Sequence, residues 1–202
     1  MTFIRRNEGI ALVTSLMLTL ISLTITMALL YMVTQNIMQS AQFKKYHTAL
    51  DAAYGGTEVF VKDILPVVLQ NYDSATLATD VANSFTNIQL QVSDQTCLKN
   101  KLLTATSTWG TCSNDPNPKK APDMSFLLQA DTGNPFVVYS KIIDTTPGNS
   151  DTSGLQLEGS GVAESSSLLT PQSVPYIYRI EVQGERQNNP TAQATLDVLY
   201  AY

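Results

Sequence analysis

Residues 1–33 read MTFIRRNEGIALVTSLMLTLISLTITMALLYMV, and their reading decides the fold. Arg5, Arg6 and Glu8 are followed by no charged residue until Lys44, so residues 10–33 form one apolar run. In hydrocarbon a lone segment satisfies its own backbone only as a helix, and about 20 apolar residues span a bilayer. Hydropathy alone leaves a permanent single-pass anchor and a removable secretory signal both open. A secretory signal has an apolar core of about 7–15 residues, and this run is roughly twice too long. Thr26-Met27-Ala28 is the one stretch that approaches a small-residue cut site. Arg5-Arg6 opens like a twin-arginine signal, but Asn7-Glu8-Gly9 does not continue it. A plain anchor has no need of glycine at the charged-to-apolar junction, and that junction, at Gly9, looks like a processing site. The basic residues flank only the first side of the span, which orients the N-terminus to the cytoplasm and the remainder outside.

A short basic leader, Glu8-Gly9 and then an apolar helix resemble the class III signal of type IV prepilins and pseudopilins. The resemblance implies cutting between Gly9 and Ile10 by a prepilin peptidase, with N-methylation of Ile10. Residues 1–9 are then a leader, and 10–33 a membrane span that later enters a filament core. Neighbouring helices can replace lipid there, because their surface is equally apolar. Major pilins carry a glutamate five residues into the mature chain, paired with a neighbour's terminal amine in a low dielectric. Thr14 stands at that position. Loss of this carboxylate goes with minor pilins and pseudopilins at or near a filament tip.

The stretch GIALVTSLML (9–18) is similar to PilX-type minor pilins, and Ala49-Leu50-Asp51-Ala52-Ala53-Tyr54-Gly55-Gly56 resembles their A-x-x-A-E-A-G segment. Their closing pattern Y-R-I, G, A, L, Y falls on Tyr178, Arg179, Ile180, Gly184, Ala192, Leu196 and Tyr200. The family implies an α+β lollipop, its long helix packed on a C-terminal antiparallel sheet. It implies a non-enzymatic part in type IV pilus assembly, at or near the tip. Partners would be other minor pilins, the major pilin, the prepilin peptidase and the inner-membrane assembly platform. The chain would sit in the inner membrane before assembly and on the pilus afterwards. The alternatives are a GspK-like tip pseudopilin of type II secretion and an unprocessed single-pass adhesive or sensory ectodomain.

Beyond the span, residues 34–63 contain no proline, and Ile37, Ala41, Ala49, Ala53, Phe60 and Ile64 follow a rough helical stripe. A helix over 10–64 is expected, with Pro66 turning the chain away from it. Gly55-Gly56 either lets a sheet approach closely or acts as a flex point. Residues 65–202 make a single head. A second helix is expected over 74–85, capped by Asp73 or Ser74, with Leu77, Val81 and Phe85 at four-residue steps. Strand patterns come next at Ile88, Leu90 and Val92, at 124–130 and at 136–143, the last two as a hairpin across Asp131-Thr132-Gly133-Asn134. Residues 144–171 are Ser/Thr/Gly/Pro-rich, with a short strand expected at 155–157. Val174, Tyr176, Tyr178, Ile180 and Val182 alternate with outward residues including Arg179 and Glu181. After a turn at 187–190, Leu196, Val198 and Tyr200 alternate too.

The 202 residues leave about 160 beyond the span, enough for one globular core. A net charge of −5 argues against general affinity for nucleic acid or anionic lipid. Cys97 and Cys112 are expected on the external side, where an oxidising compartment would let them pair and the closed loop would contribute about 3 kcal/mol; the alternative is two free thiols. His47 is the one histidine, set among Lys44, Lys45 and Tyr46, and reads as solvated or interfacial. There is no nucleophile elbow, no zinc-protease motif and no phosphate loop. Asp144, Asn149, Asp151 and Glu158 do not fit a calcium-loop register, so no metal and no cofactor is expected. The terminal tyrosines read as core and edge packing.

Overall fold

A computed structural model describes residues 4–130, 133–148, 174–188, 190 and 192–202. The chain divides into two compact units, Met1–Lys45 and Tyr46–Tyr202. Helix α1 (Ile4–Val59) is the whole of the first unit's regular structure and enters the second.

In the first unit, the consecutive residues Leu16, Met17 and Leu18 are 61%, 64% and 70% exposed. Successive helical residues point about 100° apart, so the helix is apolar all round and not along one stripe. The hydroxyls of Thr19, Thr24 and Thr26 donate to the carbonyls of Leu16, Ile21 and Leu23 three residues back, so these polar tips are satisfied within the helix itself.

The second unit carries a wholly antiparallel sheet in the order β1 (Gln91–Val92), β2 (Met124–Leu128), β3 (Phe136–Thr146), β4 (Ile177–Arg186), β5 (Gln193–Ala201). The fold is α+β, with the later part of α1 packed on this sheet. The hairpin read from the sequence is present, pairing Met124 with Ser140 through to Leu128 with Phe136. Asp131 and Thr132 of its turn, and the strand expected at 155–157, lie outside the described residues. The terminal hairpin pairs Ile177 with Ala201 through to Glu185 with Gln193. Backbone bonds between Tyr176 and Tyr202 extend that ladder by one rung.

Small residues set the helix-to-sheet distance. A methyl placed on Gly184 would stand 2.8 Å from the Ala53 amide nitrogen, and one on Gly56 would stand 2.7 Å from the Val138 side chain. Ala49 and Ala53 pack with Ala194 of β5. Gly56 therefore serves close approach, and the helix runs through Gly55 and Gly56 unbroken. Around Gly55 the nearest such contact is 3.9 Å away.

Pro66 does not end the helical path. Phe60–Ile64 forms a π-turn, the Leu65 amide bonding to the Phe60 carbonyl, and α2 (Leu65–Gln70) continues with Pro66 in its first turn. Proline there lacks only an N–H that the new turn has no use for. The π-turn also inserts one residue into the helical count, rotating the succeeding helix by about 100°. This brings Leu65, Val68 and Leu69 onto the core already lined by Phe60 and Ile64.

Helix α3 (Leu77–Ser84) is shorter than the expected 74–85. The Ser74 hydroxyl is spent on Asp80 and on the Thr76 amide, shaping a turn before the helix, while Leu77 and Val81 are buried as expected. The strand at 88–92 shrinks to β1, because residues 86–88 form a 3₁₀ turn and Gln89 takes a left-handed φ of 51°. Around Cys97, where the sequence pattern points to no helix, lies α4 (Gln95–Leu103), which carries that cysteine in its first turn. Asp94 caps it, accepting from the amides of Thr96 and Cys97.

Gly184→Ala should lower stability by about 1–3 kcal/mol, since the intruded atoms are backbone and cannot swing away. Gly55→Ala, whose methyl would meet the Leu128 side chain only at an ordinary 3.9 Å in helical geometry, should be neutral or stabilising by up to about 1 kcal/mol. Thermal unfolding of the full chain in detergent, followed by near-ultraviolet circular dichroism, separates the two.

Candidate functional site

Gly9, Ile10 and Thr14 all lie on exposed helical surface of α1. Nothing stands within 4 Å of a methyl placed on Gly9, so packing does not call for glycine there. The Thr14 hydroxyl donates to the carbonyls of Ile10 and Ala11 at 3.1 and 3.0 Å, which turns it back onto its own helix. This leaves position 14 without charge and without a free donor. The helix containing these residues has a window of mean hydropathy 2.2 with none of it buried, and is long and apolar enough to cross a membrane.

The second unit buries several charges. Lys101 of α4 donates to both carboxylate oxygens of Asp123 at 2.8 and 2.9 Å, and Asp123 also accepts from the Ile142 amide. Burial pushes the Asp123 carboxyl up, with Lys101 and the Ile142 amide opposing it. The Lys101 ammonium lies 5.3 Å from the centre of the Trp109 ring. Trp109 is itself fixed by donating to the Thr104 carbonyl. Lys141, fully buried, donates to Ser113 Oγ and the Lys120 carbonyl. Burial, then the like charge of Lys101, push its ammonium down. Tyr178 donates to the Leu102 carbonyl and is pushed up to about 12 by burial, so it stays a phenol donor. Among the described residues no buried side-chain nitrogen or oxygen lacks a partner.

Glu181, expected to face outward, is largely buried. The segment after Cys112 folds over that face of the sheet, where Lys119 donates to Glu185 at 2.7 Å and Lys141 reaches Lys120. Burial and the neighbouring Asp197 push Glu181 up, while Arg179 opposes them. Arg179 is outward as expected and pairs with Asp197.

Cys97 and Cys112 form a disulfide that ties α4 to the chain beyond Trp109. His47 is exposed on α1, its ring edge-on to Tyr46 at 6.3 Å. Asp144 accepts from the Thr106 hydroxyl, whose oxygen in turn receives the Thr145 amide. Asn149, Asp151 and Glu158 lie outside the described residues, and no cluster suited to a metal ion occurs among the described ones. The structure thus gathers Gly9, Ile10 and Thr14 on one helix and joins the two cysteines. The buried ion pair at Lys101 and Asp123 carries no sequence signal, since its members lie 22 residues apart with no shared pattern.

These features define an α+β protein with one apolar helix able to span a bilayer and a disulfide-bonded sheet unit. No protein-family model, no curated protein and no solved structure matches the chain.

Lys101→Met should cost roughly 3–5 kcal/mol at neutral pH, because a buried carboxylate loses its cation. The folded-state pKa of Asp123 is raised and rises further in the variant. A raised acid stabilises the fold below its unfolded value and loses that contribution as pH climbs through the folded one. The deficit should therefore be smaller near pH 4 than near pH 7, read by denaturant unfolding at both. Replacing both cysteines by serine should cost about 3 kcal/mol in the same assay.

Proposed function

We propose that this chain is a non-enzymatic minor pilin of the PilX type, acting in type IV pilus assembly at or near the filament tip. The observation that carries the reading is a helix exposed and apolar on every side, joined in sequence to a basic leader that ends at Gly9. An all-round apolar rod suits two surroundings in succession, lipid before assembly and a bundle of like helices after it. A soluble helix with one apolar stripe would suit neither.

In this reading the prepilin peptidase cuts between Gly9 and Ile10 and methylates the new amine of Ile10. Gly9 stands in open space, which fits a glycine required by an enzyme that must bring its own backbone close and not by the fold. Thr14, its hydroxyl turned to Ile10 and Ala11, offers no carboxylate to a neighbour's amine. A subunit inside the filament would leave that amine without its partner in a low dielectric, a cost avoided at the end of the fibre. The remaining partners are the major pilin, other minor pilins and the inner-membrane assembly platform.

Intact-mass analysis of the chain from membranes and sheared fibres tests this. The expected species begins at N-methylated Ile10, and Gly9→Ala accumulates the full-length precursor. A chain that keeps Met1, or one cut after Ala28, rules the reading out. Thr14→Glu should raise the number of copies per fibre, measured by quantitative mass spectrometry against the major subunit.

A further inference from the structure

We propose that the sheet face turned away from α1 carries a binding groove for a neutral saccharide. A cavity of about 430 Å³ lies there, within the range of about 300–1,000 Å³ typical of small-molecule sites. Its floor is Leu127 of β2 with Val137 and Tyr139 of β3, residues that the register sets side by side on one face. One rim carries Gln89 and Gln91, and the other carries Gln187 and Asn188.

The charge state of the groove is settled by its own contacts. Glu185, at 4% exposure, receives the Lys119 ammonium at 2.7 Å and the Gln183 amide at 3.4 Å, so its charge is spoken for. Arg186 lays its guanidinium over the Phe136 ring, 4.9 Å from the centre. The rim amides differ: among the described residues no hydrogen bond engages the side chains of Gln89, Gln91, Gln187 or Asn188.

Each such amide presents a donor and an acceptor a fixed distance apart, which matches a pair of adjacent hydroxyls on a sugar ring. The apolar floor suits the C–H face of the same ring. A purely apolar ligand would strip water from four amides without replacing those bonds, which is costly. An anion would meet a carboxylate already balanced by its lysine. The combination of unpaired amides, an apolar floor and compensated charge points to an uncharged polyhydroxyl ligand.

The full chain, held in a detergent without sugar headgroups, is titrated with maltotriose, cellotriose and sialyllactose and followed by saturation-transfer NMR. Transfer to a neutral trisaccharide, at least tenfold weaker in the Gln91→Ala/Gln187→Ala variant, supports the groove. Transfer to neither neutral sugar overturns it, as does equal binding of the charged one. Unchanged binding by the double variant, or by a Val137→Lys variant that fills the floor, also overturns it.

Discussion

How near a helix can lie to a sheet is limited by the side chains between them, and here that limit has been brought almost to zero. Ala49 and Ala53 meet Gly184 and Ala194 with backbone nearly touching backbone, and Gly56 lets the Val138 side chain fill the next turn. Everything larger in the core is arranged around this contact. Phe60 and Ile64 can reach inward because the preceding turns are already close. The sheet can place Val138, Ile180 and Val182 under the helix without a gap.

The second face of the sheet is handled by different chemistry. There the alternation of β4 puts Glu181, Gln183 and Glu185 in a row, and the chain after Cys112 closes over that face, Lys119 pairing with Glu185 and the Lys120 carbonyl receiving Lys141. Buried polar groups of this kind persist because each is matched. The disulfide and the Lys101–Asp123 pair fasten the same segment from its other end. One face is thus close-packed and apolar, while the other is polar and partly open, and it is the latter that leaves unpaired amides at a groove.

Much of this is legible in the residues alone. The apolar run, the continuous helix behind it, both hairpins and the disulfide emerge from periodicity, charge and cysteine count. Those signals are local, or repeat at a fixed spacing. The failures share a cause. Pro66 reads as a terminator when one residue's chemistry is weighed without the π-turn that absorbs it. Glu181 reads as outward because alternation identifies one buried face, and says nothing of a loop that later covers the other. Helix α4 has a usable sign in Asp94 before Leu98 and Leu102, easily overlooked beside the cysteines. Lys101 and Asp123 meet only through tertiary folding, so no spacing rule could join them. At the candidate site, Gly9, Ile10 and Thr14 are legible as residues, whereas the groove amides come together from two stretches, 89–91 and 187–188, nearly a hundred residues apart.

The turn at Phe60–Ile64 makes the molecule behave like a screw whose thread has been advanced by one step partway along. On either side of it the hydrophobic faces each obey the ordinary pitch, but they are out of phase with one another. Comparisons that count apolar residues straight across this point will find the repeat broken, although both halves seat against the same interior. A chain of similar architecture lacking that surplus residue would have to move its leucines and valines by one position to present the same surface.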